Sequence, residues 1–296
     1  MNQLGEHTFW NDLQDWFSMT FVGAPYDTLA DEADKEAAGA SLIVRNASWF
    51  GPMKASAMVP TIGLIQDIME GPGRVTQEIV ARTCRRVVFN SAFTASMYPD
   101  VKNGATIPLP VDFDTFEPGN HMGLQQALGL PDRCVVWVGA HEGAAGHIKG
   151  WDIMLAVART NPHMKFVAVF KDSVPDYAPF NIRMYARLDH ETLARVIGAC
   201  RVGLCTSRTE TQHLAGIEMV ACGLPLVVPN VGTYWKRENM PGVILGDMTP
   251  QNIVDALNMT MAGLPGRGTV RDYWRGEFDG AVVRSEWAAL IKEVEA

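Results

Sequence analysis

Two glutamates and a lysine stand at spacings that could do chemistry. Glu210 and Glu218, with seven residues between them, lie in Ser207-Arg208-Thr209-Glu210-Thr211-Gln212-His213-Leu214-Ala215-Gly216-Ile217-Glu218, directly after the apolar run Val202–Thr206. Such a run followed by a helix pattern puts Glu210 at a strand-to-helix turn and Glu218 about two turns into the helix. The backbone N–H groups of residues 211–214, including Gln212, His213 and Leu214, then form the open N-terminus of that helix, a natural anion site. Lys149-Gly150-Trp151-Asp152 places a cation where another helix opens, after the run Val136-Trp137-Val138-Gly139 and a glycine-rich loop. Taken alone, an E-x7-E pair is equally compatible with a surface helix carrying two solvated carboxylates.

The elements that must position these residues follow from hydrophobic patterning. Strand candidates in the first half are Thr20–Gly23, Ser41–Arg45, Thr61–Ile65, Arg86–Asn90 and Ala105–Leu109. In the second half they are Cys134–Ala140, Lys165–Phe170, Ile182–Leu188, Val202–Thr206, Leu226–Pro229 and Val243–Leu245. They are nearly continuous in apolar residues rather than alternating, as strands buried on both faces of a parallel sheet are. Helix patterns lie between them. Asp189 is placed to cap one, and Thr249-Pro250 opens another with a cap followed by proline at the first helical position. The proline-rich break Ile107–Pro118 separates two such alternations. The expectation is two doubly wound α/β domains: residues 1–110, a linker over 111–131, residues 132–270, and a C-terminal helix over 271–296 returning towards the first domain. Ligands of open parallel sheets bind at the carboxyl ends of strands, so the cleft between the domains is the expected site.

Composition narrows the class. A chain of 296 residues with 47% hydrophobic and 20% charged residues is an ordinary globular protein with room for two cores. No apolar run approaches the ~20 residues of a membrane-spanning helix. No basic region followed by an apolar stretch marks a secretory signal. Five cysteines without a CxxC pair suit reduced, buried thiols, so a cytoplasmic location is expected, with the sequons at Asn46 and Asn258 carrying no meaning. Of the net charge of −8, residues 1–131 carry −7 (8 basic against 15 acidic) and the remainder −1 (17 against 18). The near-neutral half is the better host for an anionic ligand, and the acidic chain is a poor non-specific binder of nucleic acid or anionic membrane.

The second half reads VWVGA, KGWD, FVAVF, RMYARL and LCTSRTETQHLAGIEMVACGLPLVVPNVG in order. This series resembles the nucleotide-sugar-binding domain of the retaining glycosyltransferases of family 4, which have the GT-B fold of two Rossmann-like domains. Ile107–Pro118 is similar to that family's interdomain segment, and Val87–Ser96 (VVFNSAFTAS) to the element preceding it. The resemblance spans roughly residues 40–262 and implies a metal-independent enzyme without a cofactor, using a nucleoside diphosphate sugar as donor. It assigns Glu210 to the donor sugar hydroxyls, Glu218 to the ribose hydroxyls, Lys149 to the diphosphate, and the amides of Gln212–Leu214 to sugar and phosphate. A leaving diphosphate develops charge that a fixed cation and helix-terminal N–H groups can stabilise. Carboxylates accept strongly from sugar hydroxyls.

The sequence departs from the family pattern in several places. Ala140 stands where an arginine usually follows the Val-Gly, so one phosphate cation is missing, with Arg208, Lys171 or His147 as substitutes. Thr211-Gln212-His213 replaces a Gly-Phe-Gly, which alters the sugar pocket. Gln66 stands where a histidine is common, beside Asp67, a candidate for orienting donor sugar or acceptor and equally a cap or turn residue. The first domain looks shortened at its start, with Gly5 in place of the glycine loop that approaches the phosphates. Arg45, at the end of the strand candidate Ser41–Arg45, opens a loop whose Trp49 and Phe50 could stack on an acceptor, although the aromatics are as readily loop packing. Arg82, Arg85 and Arg86 would share one helix face.

These observations point to a retaining glycosyltransferase. A small sugar, glycan or metabolite is the favoured acceptor, and a hydroxylated base in DNA the minority alternative, opposed by the acidic first half. A nucleotide-sugar epimerase and a catalytically silent nucleotide-sugar-binding protein are further alternatives on the same fold. Neither a G-x-G-x-x-G after a strand nor a G-x-x-x-x-G-K-[ST] occurs, which disfavours a Rossmann dehydrogenase and a P-loop enzyme.

Overall fold

A computed structural model describes residues 4–19, 37, 39–47, 55–119, 121–130 and 133–296. These residues form two compact units, one of residues 1–110 with 281–296 and one of residues 111–280. The expected strand Thr20–Gly23 and the pair Trp49 and Phe50 lie outside the described residues. Residues 111–119, expected in a linker, are part of the second unit, and Phe113 and Phe116 are buried in its core.

In the first unit, helix α1 (Leu4–Phe17) precedes strands β1 (Ile43–Asn46) and β2 (Thr61–Ile65). Helix α2 (Gly71–Thr83), β3 (Arg86–Phe89), α3 (Ala92–Ser96) and β4 (Gly104–Thr106) follow. The strands pair in the order β1-β2-β3-β4, all parallel, with Arg45 opposite Gly63 and Gly63 opposite Val87. Every residue of β2 is buried, as suits a largely apolar strand with a neighbour on each side. Phe9 and Leu13, one helical turn apart, are buried in α1, and Phe9 packs against Trp287 with ring centroids 5.9 Å apart. Trp10, Trp16 and Phe17 are only half-buried.

The second unit contains α4 (His121–Leu128), β5 (Val135–Gly139), α5 (Gly143–Lys149), α6 (Trp151–Thr160), β6 (Phe166–Phe170) and β7 (Ile182–Ala186). It continues with α7 (His190–Gly198), β8 (Val202–Leu204), α8 (Leu214–Ala221), β9 (Leu226–Pro229), β10 (Gly242–Leu245), α9 (Pro250–Ala262) and α10 (Arg267–Phe278). Helix α11 (Gly280–Glu295) carries the chain back into the first unit. The sheet order is β10-β9-β8-β5-β6-β7, all parallel. The chain runs outward from β5 through β6 to β7, then returns to lay β8 against the other side of β5. The topological switch point therefore lies between β5 and β8. Each face of the sheet has its own core: Val136, Val167, Ile217 and Trp274 on one, Val135, Trp137, Met154 and Ile253 on the other. The two expected caps form, with Asp189 accepting from the Thr192 N–H at 2.7 Å and Thr249 from the Asn252 N–H at 3.3 Å. Among the described residues no helix is long and apolar enough to cross a membrane, and all five cysteines are buried free thiols.

A candidate anion and sugar site at the sheet switch point

The loops after β5 and β8 meet beyond the carboxyl ends of those strands. In an open parallel sheet the switch point leaves room for a ligand there, because adjacent crossovers leave on opposite faces. The Lys149 Nζ donates to Glu210 Oε1 at 2.6 Å, and the Ser207 hydroxyl donates to the same oxygen at 2.7 Å. The Glu210 side chain is only 9% exposed, whereas Lys149 keeps 32% of its surface in solvent. Burial raises the Glu210 carboxyl. The Lys149 ammonium and the hydrogen bonds from Lys149 and Ser207 more than offset this, so Glu210 is held below the usual range and is ionised at neutral pH.

The backbone makes this close approach possible. Gly150 has φ 69° and ψ 37°, the left-handed region, and a Cβ there would fall onto the carbonyl oxygen of Thr206. The Thr206 hydroxyl is shared among the carbonyls of Lys149 and Gly150 and the Trp137 indole N–H, each at 2.9 Å. Gly139 is squeezed between Trp137 and the Lys149 Cβ, so no larger residue fits at the end of β5.

Helix α8 begins over this pair. His213 is its N-cap, with φ 73° and ψ 64°. Its Nδ1 lies 2.8 Å from the Tyr234 hydroxyl, and burial pushes the imidazole down to about 4, so it is neutral at neutral pH. Gln212 is buried, and its carbonyl accepts from the Thr233 N–H at 3.3 Å. Leu214 is the first helical residue and is half-buried. Glu218 lies one turn further on, partly covered, and burial pushes its carboxyl up to about 7.

The structure thus brings Lys149, Glu210, Gln212, His213, Leu214 and Gly139 together, with Glu218 on the same helix. Ser207 was not anticipated, although its place three residues before Glu210 is the spacing of a loop hydroxyl reaching a neighbouring carboxylate. Tyr234 was missed too, since 21 residues separate it from His213.

Four expectations are corrected. Arg208 is not a spare phosphate cation. Its guanidinium holds both Asp152 oxygens, at 2.9 and 2.7 Å, and the His147 carbonyl at 2.6 Å, strapping the β8 loop to the start of α6. Gly5 lies in helix α1 rather than in a loop, so it forms no phosphate-approaching turn. Arg45 lies in β1, nine-tenths buried with Cys84 among its charged and polar neighbours, not in an exposed loop. The arginine cluster also divides: Arg82 ends α2, whereas Arg86 is a strand residue facing Glu293 at 3.5 Å.

Cys205, Glu210 and His213 offer ligand-type atoms within 4.8 Å of one another. The donor set does not suit a metal ion. Burial pushes the Cys205 thiol up to about 12, the His213 Nδ1 is engaged by Tyr234, and Lys149 already supplies the positive charge at Glu210.

In the first unit, Gln66 and Asp67 follow β2 at its carboxyl end. Gln66 is buried, its carbonyl accepts from Asn90 at 3.3 Å, and the carbonyl of Asp67 accepts from Gln77 at 3.0 Å and from the Tyr98 hydroxyl at 3.3 Å. These bonds fix the loop backbone at the strand end. A cavity of about 300 Å³ lined by Met58, Pro60, Thr83 and Arg85 lies at the opposite, amino end of β2, away from this chemistry.

No known family profile matches the chain. It is 26% identical over 201 residues to a D-inositol 3-phosphate glycosyltransferase of Segniliparus rotundus, covering 61% of this chain and 44% of that protein. With the protein of the same name from Stackebrandtia nassauensis it shares 27% identity over 229 residues, covering 65% and 50%. The chain thus spans about half the length of the curated relatives it matches. Among solved structures, the Anabaena protein HepE in complex with UDP superposes with a TM-score of 0.76 at 16% identity, covering 90% of this chain and 82% of that one. A glycosyltransferase from Rickettsia africae superposes with a TM-score of 0.74 at 11% identity, covering 99% and 88%. The fold is GT-B, and the likeness to family 4 glycosyltransferases read from the motifs is borne out by these relatives.

Proposed function

We propose that this chain is a glycosyltransferase that moves a sugar from a nucleoside diphosphate sugar to an acceptor hydroxyl, with retention at the sugar carbon and without a metal ion. The observation that carries the reading is the Lys149–Glu210 pair at the β5/β8 switch point beneath the N-terminus of α8. HepE, similar in fold, was solved with UDP and with UDP-glucose, and the relatives similar in sequence carry the name of a glycosyltransferase. On this reading Lys149 takes the diphosphate and the amides at the start of α8 take its oxygens, supplying charge stabilisation where a metal would otherwise stand. Glu210, held ionised, accepts from the donor sugar hydroxyls, and Glu218 from the ribose. Retention requires the incoming hydroxyl to attack from the face the diphosphate leaves, its proton passing to the departing phosphate. A small sugar, glycan or metabolite is the favoured acceptor, with Gln66 and Asp67 as its candidate contacts.

The reading is tested by a thermal-shift screen of UDP-, GDP-, ADP- and TDP-sugars, followed by product analysis with the cognate donor. A cognate donor raises the melting temperature by mass action. Transfer with retained configuration in the presence of a chelator supports the whole reading. Stabilisation by none of the four nucleotides would overturn it. One observation favours a silent nucleotide-sugar-binding protein instead: Ala140 replaces a cation, and Arg208 is committed to Asp152. Tight binding with no turnover on any acceptor would select that alternative.

A further inference from the structure

His213 adopts a backbone conformation that suits glycine. Its φ of 73° is left-handed, a region that non-glycine residues rarely adopt. It also stands at the last position of Thr211-Gln212-His213, where the resembling family has glycine. Something must hold the turn open, because the same turn orients the first amides of α8 above the Lys149–Glu210 pair.

The structure shows what does so. The Tyr234 hydroxyl meets His213 Nδ1 at 2.8 Å, both residues are buried, and the rings pack edge to face with centroids 5.7 Å apart. Gly216 makes this pairing possible, because a Cβ at that position would collide with both the Tyr234 hydroxyl and the His213 ring. Next to Tyr234, the Thr233 N–H donates to the Gln212 carbonyl. Gly232, at φ 57°, brings the short turn Gly232–Tyr234 against the backbone of Glu210 and Gln212. Tyr234 is itself held edge-on by Trp274 of α10, 6.1 Å away, and Arg237 covers Trp274 while bonded to Glu277 at 2.8 Å.

We propose that Tyr234 is a positioning residue for phosphate recognition: through His213 it holds the Gln212–Leu214 backbone in the left-handed turn that aims the N-terminal amides of α8 at a diphosphate. The inference rests on the glycosyltransferase reading for its ligand. Here a histidine clamped by a buried tyrosine does what an unhindered glycine does elsewhere. Tyr234 touches no substrate, and its effect passes through one hydrogen bond and one backbone angle.

The test is a double-mutant cycle of Tyr234→Phe and His213→Gly, read by titrating UDP, GDP, ADP and TDP, and the matching free nucleosides, into folded protein. Tyr234→Phe removes only the hydroxyl. It is expected to weaken binding of the cognate nucleoside diphosphate about three- to tenfold, the scale of one lost buried hydrogen bond, while leaving the nucleoside within about twofold. In the His213→Gly background, where glycine adopts the turn unaided, Tyr234→Phe is expected to change diphosphate affinity less than about twofold. Equal losses in both backgrounds, equal losses for nucleoside and diphosphate, or no loss in Tyr234→Phe would each overturn the inference while leaving the glycosyltransferase reading intact. Wild-type protein binding none of the four diphosphates would overturn both.

Discussion

Lys149 Nζ and Glu210 Oε1 lie 2.6 Å apart, although 61 residues separate them and the carboxylate is almost wholly covered. Lys149 ends α5 and Glu210 follows β8, so the pair exists because β8 returns to the side of β5. In the proposed reaction a nucleoside diphosphate sugar divides the pair, with phosphate taking the ammonium and sugar hydroxyls taking the carboxylate.

Removing either partner should therefore impair turnover. Glu210→Gln and Lys149→Met are each expected to lower kcat/KM with the cognate donor by at least about tenfold, roughly 1.4 kcal/mol of transition-state stabilisation. Steady-state kinetics on the purified variants checks this. Wild-type rates in both would remove these residues from the chemistry.

Arg208 should behave differently, because it is spent on Asp152. Arg208→Ala is expected to lower stability by less than about 1 kcal/mol, as an exposed ion pair does, and to leave nucleoside diphosphate affinity within about threefold. Denaturant melts and titration of the variant decide the matter. A loss as large as that of Lys149→Met would return Arg208 to the phosphate site.

Glu218 gives the fold a pH dependence of definite sign. Burial raises its carboxyl from 4.5 to about 7, so the folded state binds the proton more tightly than the unfolded chain. Its contribution is therefore most favourable below pH 4.5 and is lost as pH rises to about 7. His213, lowered from 6.5 to about 4, acts in the opposite sense, and its contribution is lost as pH falls through that interval. Glu218→Gln should thus raise the melting temperature relative to wild type more at pH 8 than at pH 5. Equal shifts at both pH values would show that the carboxyl titrates as an ordinary glutamate.

Gly150→Ala tests the contact that sets Lys149 beside Glu210. The substitution forces alanine into φ 69° and its Cβ into the Thr206 carbonyl, so a loss of at least about 2 kcal/mol is expected by chemical denaturation. A stability within about 0.5 kcal/mol of wild type would mean that the β5 and β8 loops separate readily.

Much of the fold was legible because most strands in the described residues are short, largely apolar runs bounded by polar or turn residues, the short β4 (Gly104–Thr106) being an exception. Thr61–Ile65 and Leu226–Pro229 match their expected limits, and the caps Asp189 and Thr249 stand where their local chemistry placed them. Gly5 and Arg45 misled because a glycine near a chain start and an arginine at a strand end each suit more than one local structure. Helix or loop, and buried strand or exposed turn, are choices made by packing against residues far along the chain.

By itself, the sequence determined the elements, the order of the motifs and the presence of a lysine and two glutamates in the segments that follow β5 and β8, because periodicity and capping act over a few residues. The tertiary structure decided how those residues are used. It joined Lys149 to Glu210, tied Arg208 to Asp152, and set Tyr234 against His213 in a turn normally left to glycine. Each of these pairs depends on a strand order and a close backbone approach that only the folded chain creates, because neither partner's sequence neighbourhood contains the other.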